Sequence, residues 1–149
     1  MDIGTVTRAL ATAITADSDF NGVVVERDEF VNEDPDQAAA GWIGIYRDSV
    51  SYNPLTLAAG YAGRYDLSPL RLFLVFQVAD FDSGAACADR LETHIKNFID
   101  LLLANDSITS TVERIAKVDI KYGYNPQSRD GEVYFQSAYI TLELETANE

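Results

Sequence analysis

The residues of this chain that could carry out chemistry are few and lie apart from one another. His94 is the one histidine and Cys87 the one cysteine, and neither has partners at the spacing of a metal site or a catalytic pair. His94 lies beside the apolar stripe of a predicted helix, and Cys87 lies among small residues, which is typical of a buried thiol. We therefore expect a half-exposed helix histidine, an unreactive thiol and no cofactor.

The acidic pairs offer little more. Asp80 and Asp82 precede a predicted helix, where two carboxylates on a turn can hold Mg²⁺ or Ca²⁺ but can equally cap the N–H groups of the first helical turn. We favour capping, so no metal or catalytic residue is predicted. We interpret Glu143 and Glu145 as part of a solvated strand face, and we interpret Asp28 and Glu29 as part of a solvated loop.

Composition restricts the class of protein further. The 149 residues fit one domain, and 24 Asp and Glu against 11 Lys and Arg give a net charge of −13. Such a field repels a phosphate backbone, so tight nucleic-acid binding is not expected. A single cysteine excludes an internal disulfide, and the sequence has neither a secretory signal pattern nor a membrane-spanning apolar run. We expect a cytosolic protein, or a part of a particle assembled in the cytoplasm.

Hydrophobic periodicity predicts the elements in the order α-β-β-β-α-β-β. The predicted elements are a helix after Asp2 with Ile3, Val6 and Leu10 on its apolar stripe, a strand opening at Val23, strands Trp42 to Tyr52 and Leu70 to Ala79, a helix Ser83 to Ala104, and strands Thr111 to Tyr124 and Glu132 to Thr146. The last two strands form a predicted hairpin. Leu70 to Ala79 is apolar on both faces, which indicates an interior strand.

Tyrosines are concentrated where the chain has no regular pattern. The stretch Leu55 to Ser68 is predicted as a long loop, and it contains Tyr61, Arg64 and Tyr65 close to Tyr52. Tyrosine combines a large apolar area with a polar tip, which suits protein interfaces. We therefore predict that Tyr52, Tyr61, Arg64 and Tyr65 contact another subunit or a partner.

The layout resembles the tail terminator proteins of long-tailed bacteriophages, also called minor tail or tail completion proteins. The segments that carry the resemblance are the helix IGTVTRALATAI, the acidic strand region VVVERDEFVNED, the strands WIGIYRDSVSY and RLFLVFQVADFD around a long excursion, the helix ACADRLETHIKNFIDLLL, and the closing hairpin VERIAKVDIKYGYNPQSRDGEVYFQSAYITLELET. The resemblance spans nearly the whole chain.

The resemblance implies an α/β (α+β) fold, in which a mixed, mostly antiparallel sheet of about five strands carries two helices on one face. It implies a homo-hexameric ring in the virion, at the head-proximal end of the tail. The implied partners are the tail tube protein, a head completion or neck protein, and the sheath protein if the tail is contractile, while DNA passes through the ring. Six acidic residues would then line the channel: Glu26, Asp28, Glu29, Glu33, Asp34 and Asp36. Their simpler interpretation is a solvated loop.

Two other classes remain open from the residues alone. One is another head-tail connector, tail tube or baseplate component, which would assemble only on a partner. The other is a small ligand-binding or enzymatic domain that uses Asp80 and Asp82 or the long loop as its site. A concave pocket with perturbed carboxylates would favour the second class.

Overall fold

A computed structural model describes residues 2–29, 40–54, 65–123 and 133–146. The helices and strands of this described part are α1 (Ile3–Ala16), β1 (Val24–Arg27), β2 (Trp42–Pro54), β3 (Tyr65–Asp80), α2 (Gly84–Ala104), β4 (Arg114–Tyr122) and β5 (Tyr134–Glu145). A single 3₁₀ turn, Ser18–Phe20, follows α1. The order α-β-β-β-α-β-β is the one predicted.

Both helices begin where side chains cap them. Asp2 Oδ1 accepts a hydrogen bond from the Thr5 amide at 2.8 Å, and Ser83 Oγ accepts one from the Ala86 amide at 2.9 Å. These bonds satisfy amides that have no carbonyl partner within the first helical turn. The predicted start of each helix is therefore confirmed.

The five strands form one sheet in the order β1-β2-β3-β5-β4. Only the β1 and β2 pair is parallel, and the remaining pairs are antiparallel. The sheet is thus mixed and mostly antiparallel, as predicted. The central strand β3 is paired on both sides, which explains why its sequence is apolar on both faces.

The two helices cover the same face of the sheet, which we call the helix face. Helix α1 packs on β1 and β2, while α2 packs on β3 and β5. Inward residues of the strands meet the apolar stripes of the helices in one core, where the Phe76 and Phe98 rings lie 5.1 Å apart. The inward row of β3 comprises Leu70, Leu72, Leu74, Phe76 and Val78, as its alternation predicts.

Several predicted boundaries are wrong. Residues 65–68 belong to β3 and not to a loop, and β2 continues through Pro54, which pairs with Tyr65. Pro54 is tolerated there because β1 pairs with β2 only as far as Ile45, so the missing N–H breaks no pairing with β1. The fourth strand begins at Arg114 rather than Thr111.

Strict alternation with Val118 and Ile120 predicts Ala116 on the core side of β4, but a bulge changes the side. The register with β5 shifts between Ile115 and Lys117, so Ile115 packs on the core, whereas Ala116 is exposed. An extra residue in one strand reverses the alternation beyond it. The bulge therefore explains why Ile115 packs on the core although it is out of phase with Val118 and Ile120.

Candidate functional site

Two of the predicted interface residues, Tyr52 and Tyr65, lie at one end of the β2–β3 hairpin. Tyr52 pairs in register with Leu67, and Tyr65 with Pro54, so both tyrosines lie at the end of the hairpin remote from Trp42. Tyr65 lies in a strand, which corrects its predicted loop position. Tyr61 and Arg64 lie outside the described residues.

Three of the predicted channel-lining acids come together beside β2. Trp42 Nε1 donates to Glu26 Oε2 at 3.3 Å, Asp28 Oδ2 lies 3.3 Å from Arg47 Nε, and the Tyr46 hydroxyl donates to the Glu29 carbonyl at 2.6 Å. Burial raises the pKa of Tyr46, and the charges of the same three acids add to this effect. The acids therefore form one cluster around Tyr46. The other three, Glu33, Asp34 and Asp36, lie outside the described residues.

The face of the sheet opposite α1 and α2, which we call the distal face, carries a row of aromatic rings. Tyr46, Phe73 and Tyr139 come from β2, β3 and β5, with ring centroids 6.3 Å and 5.9 Å apart in succession. Tyr139 is 37% exposed at the end of the row. The alternation of side chains within each strand predicts which face each of these three residues lies on. Only the order of the strands in the sheet brings the three rings together.

Asp80 stabilises the turn before α2, whereas the cap of the helix is Ser83, which corrects the predicted capping role of Asp80. Oδ1 of Asp80 accepts from the amides of Asp82 at 2.7 Å and Ser83 at 3.1 Å, and these bonds lower the pKa of Asp80. Oδ2 lies 3.8 Å from the Arg90 guanidinium. Within the described ranges, no group of three or more His, Cys, Asp or Glu side chains is arranged to hold a metal ion.

His94 and Cys87 both serve packing. The Nε2 atom of His94 lies 3.0 Å from the Ala40 carbonyl, which can only accept, so Nε2 carries the proton. The ring stacks on Phe20 with centroids 6.0 Å apart, and burial lowers the pKa of His94. The Cys87 thiol is buried and donates to the Val78 carbonyl at 3.3 Å, and burial raises its pKa. The predicted buried thiol is confirmed.

A turn with unusual backbone geometry joins α2 to β4. Ile108, Thr109 and Ser110 all have positive φ, of 46°, 54° and 62°. Such angles are unfavourable for residues with a Cβ atom, especially a branched one. The sequence does not predict these positive φ angles, because the three residues include no glycine.

The described helices are too short or too polar to cross a bilayer. No family model matches the chain, and no curated protein matches it. Among solved structures, a chain of the virion of a native gene transfer agent particle is similar, with 11% identity, a TM-score of 0.47 and 93% of each chain covered.

A chain of the sheath/tube terminator of an extracellular contractile injection system, in the extended state, is also similar. It shows 13% identity and a TM-score of 0.35, and the alignment covers 99% of this chain but 58% of that one. Because both TM-scores lie below 0.5, these similarities support no functional inference for this chain.

Proposed function

We propose that this chain is a structural protein of a phage-type tail, namely a tail terminator. Six copies form a ring that caps the tail tube, stops its polymerisation and presents a surface to the head or neck. The observation that carries the proposal is the architecture. The order α-β-β-β-α-β-β is the layout that resembles the family, and the mixed sheet with α1 and α2 on one face is the fold that the resemblance implies.

A closed ring requires a heterologous contact, in which one patch of each copy meets a different patch of the next. The end of the β2–β3 hairpin is suited to such a contact, because it places Tyr52 and Tyr65 together at the remote end of two long strands. In our proposal Tyr61 and Arg64 contribute to the same contact.

The acidic cluster at Glu26, Asp28 and Glu29 would face the channel of the ring, together with Glu33, Asp34 and Asp36. A negative channel wall would repel DNA phosphates and keep passing DNA from adhering. The net charge of −13 supports this role. The protein would then act through surfaces that meet the tail tube, the neck and, in a contractile tail, the sheath, without catalysis.

Light scattering and electron microscopy of the purified protein test the proposal. Six copies of 16.4 kDa give about 98 kDa, and images should show rings with an open centre. Added tail tubes should gain a terminal ring and stop growing. A stable monomer at high concentration that also fails to bind tail tubes would refute the proposal.

A variant with Tyr61→Ser and Tyr65→Ser tests the hairpin contact. We expect weaker assembly with an unchanged monomer fold by circular dichroism. Phe81→Ser is the matched control, since Phe81 is an exposed aromatic residue (52%) at the junction between β3 and α2. Global unfolding of the tyrosine variant would instead assign these residues to the core.

A further inference from the structure

The two edge strands of the sheet, β4 and β1, each have backbone N–H and C=O groups that no other described strand pairs with. At the β4 end, the Gly123 amide donates to the Ser137 carbonyl of β5 at 2.7 Å. Successive residues of an antiparallel strand point their N–H and C=O groups to opposite sides. The backbone groups of Val118, Ile120 and Tyr122 therefore point outward from the sheet.

At the β1 edge, a second set of backbone N–H and C=O groups also points away from the sheet. The amides of Val24 and Asp28 donate to the carbonyls of Gly41 and Ile45, at 3.1 Å and 2.9 Å, and both bonds point toward β2. By the same alternation, the backbone groups of Val25 and Arg27 point away from the sheet. Among the described strands neither edge has a further partner, so each edge can accept one more strand, and an unpaired edge is prone to pair with another chain.

On the helix face, both ends carry apolar side chains that are only partly covered. Val118 and Ile120 at one end, and Val25 at the other, pack against the core but are not fully buried. Tyr122 is 51% exposed, because α2 packs on β3 and β5 and leaves β4 at the margin. Joining the two ends would continue the apolar layer from one sheet into the next.

On the distal face, Lys121 at the β4 edge and Glu26 at the β1 edge have opposite charges. Lys121 pairs in register with Tyr139, Tyr139 with Val75, Val75 with Gly44, and Gly44 with Glu26. Lys121 and Glu26 are therefore the two ends of one row across the sheet. Neither forms an ion pair within the described part of the chain.

The directions of the strands also fit. Strands β1 and β2 run together, and each further neighbour in the sheet reverses, so β4 runs opposite to β1. A second copy related by rotation about an axis along the strands would present its β1 antiparallel to β4. Every copy would then point its distal face to the same side, as a closed ring requires.

We infer that β4 of one copy adds to β1 of the next copy, forming a continuous intersubunit sheet in which Lys121 meets Glu26. The occupant of the β4 edge is thus a second copy of this chain. This inference rests on the proposed ring, and it names a contact at the two sheet edges in addition to the one proposed at the hairpin end.

Paired charge reversals test the contact. Lys121→Glu and Glu26→Lys each place like charges at every junction, so we expect each variant alone to dissociate at a concentration about tenfold higher than the wild type at low salt. An equimolar mixture should reassemble, because copies that alternate around an even-numbered ring restore opposite charges at every junction. Light scattering at graded protein concentrations measures both effects.

Lys96→Glu is the matched control, since Lys96 is exposed on α2 and the change in net charge equals that of Lys121→Glu. A ring that is unaffected by both edge variants, or that is weakened equally by the control, overturns the inference and leaves the proposed ring intact. A mixture that fails to reassemble also overturns it. A wild-type monomer overturns both.

A backbone variant provides a test that does not depend on charge. Ile120→Pro removes an N–H that points away from β5 and, with Lys121 opposite Glu26, lies opposite Arg27 of the next copy, so the bonds within the sheet are retained while the edge loses a donor. Ile120→Ala controls for the lost side chain. We expect the proline variant to assemble far more weakly than the alanine variant with the same circular dichroism, and equal assembly of the two would contradict the inference.

Discussion

Gly44 lies on the distal face between the side chains of Trp42 and Tyr46, so a substitution at Gly44 tests the packing there. A Cβ atom at this position would lie 2.5 Å from Trp42 Cη2 and 2.8 Å from the Tyr46 hydroxyl oxygen. Neither ring can move without cost, because Trp42 is 1% exposed and the Tyr46 hydroxyl is bound to the Glu29 carbonyl at 2.6 Å. Gly44→Ala must therefore displace at least one of the two rings.

The expected cost follows from these contacts. Inserting a methyl group into a packed site costs about 1–3 kcal/mol, and alanine recovers roughly 0.5–1 kcal/mol of the entropy that glycine loses in a strand. Displacing Trp42 would also break its bond to Glu26, which is worth about 1 kcal/mol. We expect Gly44→Ala to lower the free energy of unfolding by about 2 kcal/mol, or the melting temperature by roughly 4–8 °C.

Tryptophan fluorescence reports this change directly, because Trp42 is the only tryptophan. Urea unfolding at one protein concentration should show a lower midpoint, and the native emission maximum should shift to longer wavelength. Gly84→Ala is the control: its Cβ would meet the Tyr134 ring at 3.4 Å, an ordinary contact, so its stability should change by less than about 0.5 kcal/mol. An unshifted emission and an unchanged midpoint for Gly44→Ala would refute the reasoning.

Two further predictions concern His94 and the turn before β4. Because burial lowers the pKa of His94 below its ordinary 6.5, the unfolded chain binds a proton first as the pH falls, and stability is lost below about pH 6.5. The variant His94→Gln keeps a donor for the Ala40 carbonyl but does not titrate. The urea midpoints of this variant at pH 7.5 and pH 5.5 should therefore differ less than those of the wild type. An equal difference in the two proteins would contradict this prediction. Ser110→Gly should raise the free energy of unfolding by about 0.5 kcal/mol, because φ is +62° at this residue. Ser49→Gly in β2 should lower the free energy of unfolding. A lower free energy of unfolding in both variants would refute the assigned geometry.

The elements were predictable because their signals are local. Ser83 and the apolar stripe of α2 mark that helix from its cap to Ala104, and the alternation of β5 places Ala138, Ile140, Leu142 and Leu144 on the helix face. Caps depend on a few consecutive residues, and alternation has a period of two. The sequence alone therefore specifies the order of the elements and the core residues of their regular parts, but not Ile108 in the turn or Ile115 at the bulge.

The sheet edges and the candidate site were not predictable in the same way. The row from Lys121 to Glu26 joins residues that are far apart in the chain, and it depends on strand order and on the register of each pair of neighbouring strands. The cluster around Tyr46 likewise needs the parallel register of β1 with β2. Such contacts follow from long-range pairing, which no short segment encodes.

The turn that precedes β4 ties local backbone strain to the surface proposed to join copies. Ile108 keeps a φ of +46° although its branched side chain disfavours it, and the side chain is 1% exposed in the core. Asn105 supports the turn by accepting from the Thr109 amide at 2.8 Å, and the Val112 amide donates to the Ser107 carbonyl at 3.0 Å. Burial of Ile108 offsets the strain and fixes where the chain leaves α2. Because β4 begins directly after this turn, the same contacts determine the position of the sheet edge that carries Lys121.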